Sequence, residues 1–172
     1  AEAIVDNLSS QYCIDQDRLY GIGYSLGSMF TYEIACQLNH RFAAVASFAG
    51  TMPVDPETCE LVGGMGVLHI HGKLDYIIDY DDDWDWKDGE HEGVGTMSNV
   101  PGMIEAWSMR ANCGSSDTDA DFFLEHITHS DCFGGARVEH YGIEFWEHTW
   151  PDEVDGTPTY QLMWDFLSDF TN

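Results

Sequence analysis

Gly23-Tyr24-Ser25-Leu26-Gly27 sets a serine between two glycines, after the strand-like run Arg18-Leu19-Tyr20-Gly21-Ile22 and directly before a helix-patterned segment. A serine in a sharp strand-to-helix turn presents its hydroxyl as a nucleophile, and a side chain at either glycine would be expected to collide with neighbouring backbone in that strained geometry. The hydroxyl attacks only when a base accepts its proton, and that base must be oriented by a carboxylate. Both partners are expected downstream. His71-Gly72-Lys73-Leu74-Asp75 puts Asp75 just past the C-terminal end of a buried strand, where open α/β sheets gather their functional groups. Asp75 is the expected acid, with Asp79, at the start of a charged run, in reserve. Among eight histidines, His40 ends the helix after Ser25 and suits its C-terminal dipole, while His69 and His71 read as hydrogen-bonded structural groups within a strand. His91, His126 and His129 fall in polar loops. His148, in Glu147-His148-Thr149-Trp150-Pro151, follows the last strand and precedes the last helix, giving the chain order Ser, Asp, His. It is the expected base.

The elements that must hold these groups can be read from apolar spacing. Ile4, Val5, Leu8 and Tyr12 mark a short helix over Ala3 to Tyr12. Leu26, Met29, Phe30, Ile34 and Leu38 recur at helical steps, so Leu26 to Asn39 reads as an amphipathic helix whose free N–H groups point back at Ser25. Phe42 to Phe48 and Val67 to His71 are continuous apolar runs, the mark of strands buried on both faces. Ser98 or Asn99 can cap a helix with Pro101 in its first turn and Met103, Ile104, Trp107 and Ala111 on one face. Arg137 to Tyr141 reads as a strand. The last helix is expected to open with Thr157 as cap and Pro158 as its first residue, with Leu162, Met163, Phe166, Leu167 and Phe170 as its apolar stripe. Strands alternating with helices predict an α/β fold, a mostly parallel sheet covered by helices on both faces. No repeat or low-complexity linker divides residues 1–172, which read as one domain.

Charge and cysteines bound the partners. The 31 acidic residues against 6 basic ones give a formal net charge of −25 over 172 residues. A field of that sign excludes nucleic acid, disfavours anionic membranes and anionic substrates, and suits a surface adapted to high salt or selected for solubility. Asp81, Asp83, Asp85 and Glu92 fall at positions 1, 3, 5 and 12 of a calcium-loop pattern, but Trp86 stands where that loop needs glycine. Asp79 to Glu92 therefore reads as a solvated acidic excursion, with Trp84 and Trp86 available to fold over a cleft. Neither a metal nor another cofactor is expected. No twenty-residue apolar run exists, so no membrane span is expected. Cys13, Cys36, Cys59, Cys113 and Cys132 lack the paired C-x-x-C spacing of a zinc site and favour an extracytoplasmic home. An exported chain would then be already processed, because no signal peptide is visible at Ala1. Cys113 and Cys132 flank a polar, Asp-rich loop, Gly114 to Ser130, that a disulfide would staple.

These residues resemble the polyhydroxybutyrate depolymerase and feruloyl esterase group of α/β-hydrolases, which includes small secreted carboxylesterases. The likeness runs through Tyr12 to Gly27, Arg41 to Gly50, Val67 to Gly72 with Asp75, Trp107 with Cys113, and His148-Thr149-Trp150-Pro151. The resemblance implies that Ser25 attacks an ester carbonyl and that His148 takes and returns the proton. It further implies that Asp75 holds His148 and that the backbone N–H of Leu26 donates to the oxyanion. Tyr24 and Trp150, near the serine and the histidine, are the candidate substrate contacts. The implied function is a serine carboxylesterase acting on short-chain or aryl esters, with feruloyl or acetyl-xylan esters and short polyesters as candidates. The rival expectation is a non-catalytic remnant that binds a polymer or partner through Trp84, Trp86, Trp146 and Trp150. Family members usually carry a small residue and paired glycines after the serine and glycines before the histidine; Leu26-Gly27-Ser28 and Trp146-Glu147 depart from both, which bears on substrate range. The family also has strands upstream of the serine, one of whose loops supplies a second oxyanion donor, so the chain is expected to be a fragment or a minimal hydrolase. Such an abbreviated sheet would expose an edge through which two copies could pair.

Overall fold

A computed structural model describes residues 1–56, 58–85 and 95–172. In chain order the elements are helix α1 (Glu2–Ser9), strand β1 (Tyr20–Tyr24), helix α2 (Leu26–Gln37), strands β2 (Ala44–Phe48), β3 (Gly66–Gly72), β4 (Trp84–Asp85) and β5 (Thr96–Met97), helix α3 (Val100–Arg110), strands β6 (Ser115–Ala120), β7 (Leu124–Ser130), β8 (Arg137–Ile143), β9 (Glu153–Val154) and β10 (Thr157–Pro158), and helix α4 (Thr159–Ser168). The main sheet has the order β1-β2-β3-β8-β7-β6. Its first four strands are parallel, and β7 and β6 run antiparallel beyond β8.

Every residue of β2 and β3 is buried, as continuous apolar runs require of strands covered on both faces. Alternation then sorts their side chains between two cores. On one face Val45, Val67 and Val138 pack with Tyr32 and Ala35 of α2 and with Met103, Ile104 and Trp107 of α3. On the other, Ala44, Ala46, Phe48, Leu68 and Ile70 pack with Met163, Phe166 and Leu167 of α4. Asn99 caps α3, its side-chain oxygen accepting from the Gly102 N–H at 2.7 Å, and Pro101 sits in the first turn.

The structure departs from the sequence-based expectations in several places. The first helix ends at Ser9 rather than Tyr12, and α2 at Gln37 rather than Asn39. The α2 stripe is rotated: the buried face is Ser28, Thr31, Tyr32, Ala35 and Cys36, while Leu26 and Phe30 are 66% and 57% exposed. The cause is the tight join at Ser25. It presses the first turns of α2 so close to β1 and β2 that only small side chains fit between them, and that closeness outranks apolar periodicity. Gly114 to Ser130 is not a loop but the β6–β7 hairpin, with His126 and His129 on β7. All of β6 is exposed and all of β7 half-buried, so backbone pairing holds them and apolar alternation gives no signal. The final helix begins at Thr159, because Thr157 and Pro158 pair with β9 instead of opening the helix. Disulfides join Cys36 to Cys59 and Cys113 to Cys132, and Cys13 is an exposed free thiol. No described strand pairs with the outer side of β1.

Candidate active site

β1 delivers Ser25 to the C-terminal end of the parallel strands, and α2 starts at the next residue. Ser25 has φ 55° and ψ −123°, a conformation that non-glycine residues adopt only where surrounding contacts enforce it. The enforcing contacts are its N–H donating to the Phe48 carbonyl at 2.9 Å and its own carbonyl accepting from the N–H groups of Ser28 and Met29. Gly23 is required here, since a Cβ would fall on the carbonyl of Gly27 and the hydroxyl of Thr31. Gly27 is not: a Cβ there meets nothing within 4 Å, which corrects the expectation that both flanking glycines are sterically necessary. Leu26, first residue of α2, contributes one of the N–H groups that a helix start leaves without an intrahelical acceptor.

Asp75 and His148 come from two loops at the same end of the sheet. Asp75 follows β3 in a turn whose N–H groups at Ile77 and Ile78 both donate to its Oδ1 at 2.9 Å. Its Oδ2 accepts from His148 Nδ1 at 2.6 Å, and His148 Nε2 lies 2.8 Å from Ser25 Oγ. An Nδ1–H given to the carboxylate leaves Nε2 as the acceptor, so the serine hydroxyl can hand its proton to the ring. Burial raises the Asp75 carboxyl, but hydrogen bonds from His71, Ile78, His148 and Ile77 outweigh it and bring the group down to about 2. The reserve acid, Asp79, is engaged locally, its Oδ1 accepting from the N–H groups of Asp81 and Asp82.

The His148 loop is fastened from three sides. The Leu74 N–H donates to the Trp146 carbonyl at 2.9 Å, the Trp146 indole to the Thr149 carbonyl at 2.5 Å, and the Tyr24 hydroxyl to the His148 carbonyl at 2.9 Å. The Tyr24 ring lies 5.4 Å from the His148 ring, and Trp150 stands edge-on to Tyr24 and Phe48. Tyr24 is thus a support of the histidine as well as a surface beside it. A hollow of about 290 Å³ lined by Phe123, Leu124, Ile143, Trp146, Pro151 and Val154, and by the carboxylates Asp121, Glu153 and Asp155, opens beside the same loop.

A family model described as phospholipase/carboxylesterase matches residues 1–84, which include both Ser25 and Asp75. The chain is 25% identical to the bifunctional acetylxylan esterase/xylanase XynS20E of Neocallimastix patriciarum over 98% of this chain and 22% of that one. It is 30% identical to NocK of Nocardia uniformis subsp. tsuyamanensis, named as an esterase, over 88% of this chain and 47% of that one. The chain has an α/β-hydrolase fold, and the proteins it is similar to are named as esterases. A third relative is feruloyl esterase B of Piromyces equi, 23% identical over 97% of this chain and 30% of that one. The chain spans less than half the length of each of these three relatives.

Other expected sites resolve differently. In the acidic segment, Asp83 Oδ1 accepts from the backbone and side-chain N–H of Asn99, and Asp85 Oδ1 from the Thr96 hydroxyl, so these carboxylates tie the segment to β5 and the start of α3. Trp86 and Glu92 of the calcium-loop pattern, and His91, lie outside the described residues. Among the described residues no His, Cys, Asp and Glu side chains converge as a metal site, and no helix is long and apolar enough to cross a membrane. Sequence reasoning missed the part played by His71, whose Nε2 lies 3.2 Å from Asp75 Oδ2. Their four-residue spacing across a strand end was the available signal.

Proposed function

We propose that this chain is a serine carboxylesterase domain in which Ser25 is the nucleophile, His148 the general base and then acid, and Asp75 the carboxylate that orients it. The observation that carries this reading is the unbroken line Ser25 Oγ, His148 Nε2, His148 Nδ1, Asp75 Oδ2, with contacts of 2.8 and 2.6 Å, on a strained strand-to-helix turn. Oγ attacks the ester carbonyl as Nε2 takes its proton, and the N–H of Leu26 donates to the developing oxyanion. His148 returns the proton to the departing alcohol. Water then attacks the acyl-enzyme with His148 as base, and Ser25 is regenerated. Tyr24, Trp150 and the hollow beside the His148 loop are the proposed contacts for a short acyl or aryl group. The names of the relatives favour acetyl-xylan or feruloyl esters as natural substrates. Two disulfides favour an extracytoplasmic setting. The outer edge of β1, with Ile22, Leu26 and Phe30 exposed, is the proposed contact between two copies.

The test is hydrolysis of 4-nitrophenyl acetate and butyrate by the chain and its Ser25→Ala variant, with fluorophosphonate labelling read by intact mass. Turnover and labelling should both vanish in the variant. A folded wild-type chain that neither turns over nor labels refutes the reading in favour of a non-catalytic binder.

A further inference from the structure

Asp75 has a second histidine behind it. β3 brings His69 and His71 to one face of the sheet, both fully buried. His71 Nε2 lies 3.1 Å from the Ile78 carbonyl oxygen and 3.2 Å from Asp75 Oδ2. Both are acceptors, so Nε2 must carry the hydrogen and share it between them. In a neutral ring that leaves His71 Nδ1 as an acceptor, 3.0 Å from His69 Nε2, which is then the protonated nitrogen of its ring. His69 Nδ1 then accepts from the Tyr32 hydroxyl at 2.6 Å. One backbone carbonyl, that of Ile78, therefore fixes the hydrogen positions of three successive side chains. The neighbouring His140 is set the same way. Its Nδ1–H donates to the His69 carbonyl at 3.2 Å, which turns Nε2 toward the Tyr80 hydroxyl at 2.8 Å.

The two oxygens of Asp75 are served unequally. Oδ1 is gripped by two backbone N–H groups of its own turn, whereas Oδ2 meets, among the described residues, only the two imidazoles. One of those, His148, arrives on a separate loop and must exchange protons during turnover. The other stands on the central sheet. We propose that His71 is a positioning residue of the esterase: it anchors Asp75 Oδ2 to β3 so that this oxygen meets His148 Nδ1, and the His69–Tyr32 line holds His71 in the only tautomer that can do so. Groups held by rigid elements keep a reacting geometry that loops alone do not. This inference rests on the assignment of Ser25, His148 and Asp75 above.

Two measurements test it. Long-range proton–nitrogen NMR correlation on the intact protein reads the tautomers without reference to activity. It should find Nε2–H at His71, Nε2–H at His69 and Nδ1–H at His140. Nδ1–H with a bare Nε2 at His71 would overturn the proposal whatever the variants do. Kinetics on 4-nitrophenyl acetate then compare His71→Leu, which removes the donor, with His71→Gln, whose amide nitrogen can reach the same place. In His71→Leu, kcat should fall by roughly ten- to a hundred-fold with KM little changed, as when other outer partners that orient a reacting group are lost, and His71→Gln should recover most of the loss. Wild-type kcat in a folded His71→Leu, or equal losses in the two variants, would sink the positioning role. If His71→Leu does not fold, the NMR tautomers decide. Absence of ester turnover in the wild-type chain would instead count against the function proposed above, while the tautomer result stands by itself.

Discussion

Acid should weaken this fold through two histidines that it keeps uncharged, and the loss can be isolated. His140 is buried, with its ring stacked on His69, and burial first, then the neighbouring His71, lower it from the ordinary imidazole range to about 3. His69 is lowered as well, again by burial first and then by His71 and His140. The unfolded chain binds a proton at each below about pH 6.5, but the native chain does not, so stability is full above that value and declines as the pH falls. Between pH 7 and pH 5 each such histidine removes about 1.9 kcal/mol, hence about 4 kcal/mol for the pair. Asp75, held down at about 2, takes up its proton in the unfolded chain only near pH 4, so it stays out of this window. Most domains have about 5–15 kcal/mol in all, so the pair matters. The perturbation is His140→Asn, whose amide can still donate to the His69 carbonyl but cannot be protonated. Urea unfolding followed by tryptophan fluorescence at pH 7, 6 and 5, at constant ionic strength, gives the stability of both proteins. The variant should be less stable at pH 7, having lost the Tyr80 contact. Its further loss on going to pH 5 should be smaller than that of the wild type by about 2 kcal/mol, because one titrating group is gone. The many surface carboxylates are common to both proteins and cancel. Equal losses in the two proteins would show that His140 is protonated in the native state and would refute the account of this core.

Three further outcomes are expected. Gly23→Ala should fail to fold or lose fluorophosphonate labelling, whereas Gly27→Ala should keep both fold and labelling and be stabilised by up to about 1 kcal/mol as a helix alanine, both read by thermal melting and intact mass. Tyr24→Phe removes the hydroxyl that holds the His148 carbonyl; one hydrogen bond of about 0.5–1.5 kcal/mol translates into roughly a two- to twelve-fold lower kcat/KM for 4-nitrophenyl acetate, at unchanged melting temperature if the bond matters only to the loop. Replacing Cys113 and Cys132 together by serine opens a link across a sequence separation of 19 and should cost about 3 kcal/mol in urea unfolding; a change below about 1 kcal/mol would show that the hairpin is held by its pairing with β8.

The meeting of Ser25, His148 and Asp75 was more legible in the chain than the packing around it. Ser25, Asp75 and His148 could be chosen because strand-to-helix turns and strand ends leave local signatures, and the order of the three is itself informative. The buried strands announced themselves through unbroken apolar runs, as did α4 through its stripe. What stayed hidden depends on distances between elements. Periodicity picked the wrong side of α2, because Ser28, Thr31 and Ala35 are buried for their small size rather than their hydrophobicity. The β6–β7 hairpin has one exposed strand and one half-buried strand, and a ladder of backbone bonds writes nothing into side-chain types. His71 looked like an ordinary strand histidine, since its importance lies in a turn that brings residue 75 back toward it.

The open side of β1 gives the high negative charge a second meaning. Ile22 of β1 and Leu26 and Phe30 at the start of α2 are exposed, and the outer side of β1 carries a row of backbone groups that no described strand pairs with, a surface suited to adding a strand from another molecule. Two copies approaching through it each bring a formal charge of −25. At low ionic strength their repulsion reaches tens of ångströms and acts long before the edges touch; at about 1 M salt it is screened within about 3 Å. The chain's excess of carboxylates would then guard an edge with no described partner strand, and molar salt would be the condition that lifts the guard. Sedimentation at low and at molar salt should accordingly move from single chains toward pairs, with Leu26→Lys and Phe30→Glu holding the chain single in both.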